Sequence, residues 1–520
     1  MRLMVWLALA QLGCHVNVDD HELDHDGDSD PRVAALEDPF TAQVDPGQDE
    51  NRQPIGLVDT AAPRPPNVLL IVVDDMGYAD TETYAPGIGT PTPTLDRLAA
   101  EGVRFTNAYA TAAMCGPSRA GIMTGRYNNR FGFEYNPVGD EDGIPASETT
   151  ISESLQGLGL RTVMLGKTHF GLADFQYPTN IGFDFFYGLI APGTTYQDRT
   201  HPNVVNVEAL TLTLGSGDSV PGPNPEPMRI GPENVVKGPD AVVVDNFDEY
   251  LTSDLSLRAV DFIEHKGDEP FFMMLSYTAP HVPLQVPRGY WNRFSHIADE
   301  HERIYAAMIA VIDDGVAGVL QALDIQGVAD DTLVIFASDN GCSPYSGACD
   351  CSVVRGYKTA HLDGGLRVPM LMRWPNAFAG GQVNSDLVSL MDIMPTAVAA
   401  AGGDPSTMGF DGVDLRPFLD GSDAGTPHDA LFFATGGQAT AVASDGFKLR
   451  RVEGAYQLHD LTIDPLETSD VQASYPAVLA DMSADLVAWE GDMMEARWAP
   501  AGVDELDSCG EWLPLQTLTP

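Results

Sequence analysis

Apolar residues run without interruption over 68–73 and again over 333–337, and both runs are rich in β-branched or bulky side chains. Runs of that length without alternation predict strands covered on both faces, as in the parallel sheets of α/β proteins. Shorter versions occupy 162–165 and 271–277. Between them, 251–265 and 301–323 repeat apolar residues at spacings of three and four, the period of a helix packed against a sheet. Alternating strand and helix predicts an α/β fold: a doubly wound, mostly parallel central sheet flanked by helices. Further on, short apolar runs over 430–464 flank the turn Asp445-Gly446-Phe447-Lys448, and 476–489 has helical character. The expectation there is a smaller C-terminal α+β domain with an antiparallel sheet.

Each of the four strand runs ends in polar residues: Asp74-Asp75-Met76-Gly77, Gly166-Lys167-Thr168-His169, Thr278-Ala279-Pro280-His281 and Ser338-Asp339-Asn340-Gly341. One such ending is ordinary turn chemistry. Four together place carboxylates, an amide, a lysine and two imidazoles where open α/β sheets bind their ligands. Asp74, Asp75, Asp339 and Asn340 offer oxygen alone, which suits a hard cation such as Ca²⁺ or Mg²⁺ rather than zinc. A fifth segment, Cys115-Gly116-Pro117-Ser118-Arg119, has its proline where a first helical turn tolerates one. Cys115 then lies at the positive end of a helix dipole beside Arg119, a place that favours an anion. The plainer alternative is a free cysteine in a capping turn.

The 520 residues allow two or three domains. Asp and Glu outnumber Lys and Arg by 75 to 28, a formal charge of −47 that repels phosphate backbones and excludes nucleic acid as a partner. Lysine occurs at only 167, 237, 266, 358 and 448, so the two in motifs carry unusual weight. At the start, Arg2 precedes an apolar stretch over 3–10 and small residues before Cys14, the pattern of an export signal. Gln11-Leu12-Gly13-Cys14 resembles a bacterial lipobox, making Cys14 a lipidation candidate; a cleaved, soluble secreted form is the alternative. The expected location is outside the cytoplasm: periplasm, cell surface or medium, with membrane contact only through that lipid. Over 19–50 there are twelve acidic residues and one basic, a composition too polar to fold alone. Within it, Asp24 to Asp30 suggests calcium chelation, but its glycine is misplaced for an EF-hand loop. The expected divisions are therefore 1–14 (export signal), 15–62 (acidic tether), 63–422 (catalytic), 423–500 (small C-terminal domain) and 501–520 (tail).

Six cysteines are present. With Cys14 lipidated and Cys115 in chemistry, Cys342, Cys349, Cys351 and Cys509 remain for two disulfides. Of three pairings, the one joining Cys349 to Cys351 is sterically poor; both others tether Cys509 to Cys349 or Cys351.

The chain over 66–471 resembles a type I sulfatase of the alkaline phosphatase superfamily. The resemblance rests on NVLLIVVDDMGYAD (67–80), the Cys115 to Arg119 signature followed by AGIMTGRY, GKTHFG (166–171), Ala279-Pro280-His281, SDNG (338–341) and RGYKTAHLDGGLRVP (355–369). It implies that Cys115 is converted to formylglycine (3-oxoalanine) by a formylglycine-generating enzyme. It implies Ca²⁺ in preference to Mg²⁺, bound by Asp74, Asp75, residue 115, Asp339 and Asn340. By the same resemblance Arg119 activates residue 115, Lys167 and Lys358 bind the sulfuryl oxygens, His281 protonates the leaving alcohol with Lys358, and His169 is the base that frees sulfate. Gly116 and Asp363 depart from the family, which more often has Ser or Thr and Glu there. The substrate expected is a sulfated carbohydrate, with aryl sulfates as artificial substrates: 124–137 resembles carbohydrate-active members, and Tyr196 and His201, on a Gly/Pro-rich loop, are weighed as sugar contacts against plain loop residues. Two rival readings stay open, a phosphatase or phosphodiesterase of the same superfamily and a non-catalytic acidic protein binding calcium or glycans.

Overall fold

The uninterrupted apolar run at Asn67–Asp74 forms β1, every residue of which is buried. It lies inside a ten-stranded sheet in the computed structural model, which describes residues 64–516 apart from 138, 140–141, 191–192, 214, 218, 222–235, 238–241, 244–248 and 501–502. The export segment, Cys14, the acidic stretch 15–62 and the last four residues of the tail lie outside the described residues.

The remaining strands of this sheet are β2 (Val103–Phe105), β3 (Arg161–Lys167), β4 (Phe185–Leu189), β5 (Val236–Lys237), β6 (Val242–Val243), β7 (Phe271–Pro280), β8 (Thr332–Ser338), β9 (Met370–Arg373) and β10 (Gln382–Asn384). Their order is β6-β5-β4-β3-β7-β1-β8-β9-β2-β10. The five strands from β4 to β8 are parallel, with Val68 opposite both Phe272 and Leu333. At the margins β9 pairs antiparallel with β8 and β2, and β5 antiparallel with β4 and β6. The sheet is therefore mixed: the predicted parallel centre is present, and the margins reverse direction.

Alternate residues of β1 enter two different cores. Leu69, Ile71 and Val73 pack with the helices Leu251–His265 and Glu300–Ile325, whereas Val68, Leu70 and Val72 pack with Cys115–Thr124 and Ile393–Ala400. In chain order these helices are α1 (Cys115–Thr124), α2 (Leu251–His265), α3 (Glu300–Ile325) and α4 (Ile393–Ala400). By length and composition α3 could cross a membrane, but 78% of its most apolar window is buried, as expected of a core helix.

The C-terminal portion forms a four-stranded antiparallel sheet, β11 (Ala430–Thr435), β12 (Gln438–Ala443), β13 (Phe447–Val452) and β14 (Ala455–Asp460), covered by α5 (Pro476–Gly491). Leu449, Leu458, Leu486 and Trp489 close this third core against Tyr109 and Tyr127 of the large sheet's side. A last hairpin, β15 (Val503–Asp507) and β16 (Trp512–Gln516), carries Cys509 at its turn. The disulfides are Cys342–Cys349 and Cys351–Cys509, one of the two expected pairings.

Candidate active site

The carboxyl ends of β1, β3, β7 and β8 meet the first turn of α1. Asp75 follows β1 with φ of 64°, a left-handed conformation that a non-glycine residue keeps only when its surroundings hold it. The Tyr305 hydroxyl, from α3, donates to the Asp75 carbonyl at 2.7 Å and to Asp80 at 2.6 Å. β3 ends on Lys167, whose ammonium donates to Asp74 Oδ2 at 2.5 Å. Just before it, Gly166 has φ of 105°, and a Cβ there would lie 1.8 Å from the Ser276 carbonyl oxygen. Only glycine lets β3 and β7 approach so closely, and Arg119 uses that approach: its Nη1 donates to the Lys167 carbonyl at 3.1 Å and to Ser276 Oγ at 2.6 Å. Its Nε donates to Asp339 Oδ2 at 2.8 Å, so the fully buried guanidinium has a single orientation.

Asn340 Nδ2 donates to Asp75 Oδ1 at 2.8 Å. Lys358 Nζ reaches the same carboxylate oxygen at 2.6 Å and Cys115 Sγ at 2.8 Å. Cys115 Sγ lies 3.3 Å from Asp74 Oδ1 and 3.6 Å from Asp75 Oδ1. His281 Nδ1 donates to the Val282 carbonyl at 2.5 Å, which leaves Nε2 facing Asp75 Oδ2 at 3.5 Å. His169, with φ of 59°, is buried, and its Nδ1 has no hydrogen-bond partner. The structure thus brings together Asp74, Asp75, Cys115, Arg119, Lys167, His169, His281, Asp339, Asn340 and Lys358.

Three carboxylates face three permanent cations here, so the cluster is balanced before any ligand arrives. Burial opposes ionisation of Asp74 and Asp75, but Lys167 and Lys358 respectively, each with His281, outweigh it and hold both carboxyls below their usual range. Burial pushes the Cys115 thiol well up, against Lys167 and Lys358, so as a thiol it is protonated and a weak nucleophile. Burial, reinforced by Lys167, Arg119 and Lys358, holds the His169 imidazole well below its usual value. A hard cation fits this donor set: Asp75 Oδ2 and Asn340 Oδ1 are buried and accept no hydrogen bond, beside the carboxylates of Asp74 and Asp339. Asp74, Asp75, Cys115 and His281 each bring one donor atom within 4.8 Å of the others, which sets residue 115 at the edge of the same cation position.

Sequence reading missed Ser276, Tyr305 and Asn136. Ser276 is hidden in an apolar strand, and Tyr305 lies in a helix 230 residues from its partner, so only tertiary structure reveals them. Asn136 Oδ1 accepts from Gly116 N at 3.0 Å and satisfies a free donor of the first turn of α1. Tyr196 is a correction: it is fully buried, and its hydroxyl donates to the Thr278 and His281 carbonyls at 2.9 and 2.7 Å. It supports the His281 turn. His201 Nδ1 accepts from Asn203 N at 3.3 Å within its own loop. In 124–137, Asn128, Asn129, Phe131 and Phe133 are buried and Arg130 pairs with Asp411, so these residues hold the fold.

A profile of the sulfatase family matches residues 66–403, and the chain belongs to that family: type I sulfatases of the alkaline phosphatase superfamily, enzymes that hydrolyse sulfate esters. Among particular proteins, it is similar to the steryl-sulfatase of Mus musculus, 34% identical over 430 residues, covering 71% of this chain and 68% of the relative. The N-acetylgalactosamine-6-sulfatase of Homo sapiens is 32% identical over 385 residues, 70% of this chain and 67% of the relative. A solved structure, Ps i-CgsB in complex with k-i-k-neocarrahexaose, superposes with a TM-score of 0.73 at 30% identity, over 84% of this chain and 95% of its own.

Proposed function

We propose that this sulfatase removes sulfate from a sulfated carbohydrate, using formylglycine made from Cys115 and a bound Ca²⁺. The observation that carries the reading is the enclosure of Cys115 Sγ by Lys358 Nζ at 2.8 Å and Asp74 Oδ1 at 3.3 Å, with the guanidinium of Arg119 fixed on Asp339. The similarity to N-acetylgalactosamine-6-sulfatase and to a protein solved in complex with k-i-k-neocarrahexaose supports carbohydrate as the substrate class.

Asp74, Asp75, Asp339 and Asn340 would hold the cation, which would supply charge and Lewis acidity for the sulfuryl oxygens. Formylglycine supplies a hydrated aldehyde whose hydroxyl is a nucleophile toward sulfur. Around them Arg119 faces residue 115 and keeps Asp339 in place. Lys167 and Lys358 present positive charge to the sulfuryl oxygens as charge grows there. His281, its ring fixed by Val282, faces the departing oxygen through Nε2 with Lys358 alongside; burial holds its imidazole below the usual value against the pull of Asp75 and Asp74, so it acts as the acid only in its protonated fraction. His169, kept neutral by burial and three cations, has an unpartnered Nδ1 that can accept a proton and would be the base for sulfate release. Export, with or without lipid on Cys14, and maturation by a formylglycine-generating enzyme belong to the same proposal.

The test is sulfate release from 4-nitrophenyl sulfate and from sulfated sugars by matured enzyme. Chelation abolishes it and Ca²⁺ restores it; Cys115→Ala lowers it by about 10⁴-fold or more. Restoration by Zn²⁺ alone, with faster hydrolysis of phosphate esters, would favour the phosphatase reading.

A further inference from the structure

The backbone that carries Lys358 makes no regular secondary structure. Gly356 and Thr359, on either side of Tyr357-Lys358, take left-handed φ values of 97° and 76°. A loop of this kind is held by contacts from elsewhere in the chain. Some come from the catalytic body: Lys358 N donates to the Cys342 carbonyl at 2.9 Å, and Thr359 N to the Ala113 carbonyl at 2.7 Å. The others come from the turn of the tail hairpin, about 150 residues later. Gly356 N donates to Cys509 Sγ at 3.2 Å and Tyr357 N to Ser508 Oγ at 3.2 Å. The Arg355 guanidinium donates to the Cys509 carbonyl at 3.4 Å and to Glu511 Oε2 at 2.8 Å, while Glu511 also pairs with the buried Arg450 of β13 at 3.1 Å. The Cys351–Cys509 disulfide fixes the hairpin to the start of the same loop. Residues 351, 355, 356 and 357 are thus each tied to residues 508–511, immediately before Lys358.

We propose that the tail hairpin, through Cys509 and Ser508, is a positioning element for Lys358. It touches no reacting group; it sets where Nζ stands against residue 115 and Asp75. The inference rests on the reading of Lys358 as a residue that steadies the departing oxygen. A displaced Lys358 then slows release of a poor leaving group, such as a sugar alkoxide, far more than release of 4-nitrophenolate, which needs little help.

The experiment uses full-length, matured enzyme, with the formylglycine content of each preparation measured by mass spectrometry and rates expressed per modified site. Three variants are compared with the parent: the pair Cys351→Ala with Cys509→Ala, the milder Ser508→Ala that keeps the disulfide, and Lys358→Ala. Each tail variant is also combined with Lys358→Ala. For a sulfated monosaccharide the disulfide variant loses about tenfold in kcat, with KM within about twofold and 4-nitrophenyl sulfate within about threefold; Ser508→Ala shifts in the same direction by less. In the Lys358→Ala background the tail changes have no further effect. Losses that persist or multiply in the Lys358→Ala background, on either substrate, would overturn the inference and make the tail a general stabiliser. Full activity of Lys358→Ala on sugar sulfates would instead remove the role given to Lys358 itself.

Discussion

Cys115 stands in surroundings that suppress the chemistry a cysteine ordinarily offers. Two carboxylates lie within 3.6 Å of its sulfur, and burial outweighs the two lysines, so the thiol keeps its proton. Gly116 also has a local explanation. A Cβ at 116 would come 2.9 Å from Asn136 Oδ1, 3.1 Å from Pro137 Cδ and 3.2 Å from the His169 carbonyl oxygen, so Asn136 fills the space that a larger side chain would need. Gly116→Ser displaces Asn136 and removes its bond to the first turn of α1; thermal unfolding is expected to register about 1–3 kcal/mol of destabilisation. An unchanged Tm would mean that Asn136 yields freely.

Among the elements, the strands of the parallel centre were legible because they are apolar on both faces: 68–73 and 333–337 each lengthened by only one residue at either end. The marginal strands were not. Val103–Phe105 and Gln382–Asn384 are three residues long, and the pairing of the first with β9 and of the two with each other is set by long-range register. Of the clustered residues, Asp74, Asp75, Lys167, His169, His281, Asp339 and Asn340 were legible because they follow apolar strands, and Cys115, Arg119 and Lys358 stood out only through their motifs; Ser276, Tyr305 and Asn136, which act through distant partners, were not. Asp363 shows the limit of motif reading. Its carboxylate accepts from Lys448 Nζ of β13 at 2.7 Å, and Lys448 also donates to Glu467 at 3.1 Å, all three side chains being buried. This pin joins the C-terminal sheet to the segment that follows Lys358. Removing the cation strands two buried carboxylates, so Lys448→Met is expected to lower stability by about 3–5 kcal/mol, read by urea unfolding; a loss below about 1 kcal/mol would show that Tyr109 and Arg367 suffice.

At the scale of the whole molecule, the charge of −47 surrounds a site whose own carboxylates and fixed cations balance. A polyanionic glycan approaches against that field, so added salt is expected to lower KM for a sulfated oligosaccharide several-fold between about 10 and 150 mM, with little effect on a small aryl sulfate. A KM that rises with salt for the oligosaccharide would point to a cationic binding track. Acidity also acts through the core. Asp313 of α3 accepts from the backbone N–H groups of Thr94 and Leu95, yet burial pushes its carboxyl up to about 6. The folded form therefore holds a proton that the unfolded chain has shed above pH 4, and this contribution to stability is lost as pH rises from about 4 to 6. Asp313→Asn is expected to match the parent near pH 4 and to exceed it at pH 7 by up to about 3 kcal/mol; a pH-independent difference would contradict this.

On the proposed function, residue 115 of the working enzyme is no longer a cysteine. Mass spectrometry of the tryptic peptide spanning 105–119, taken from preparations of differing specific activity, tests it most directly. The expected result is a species lighter by about 18 Da than the cysteine form, in a proportion that tracks sulfate release across the preparations. Full activity from protein whose Cys115 is wholly unmodified thiol would contradict the account.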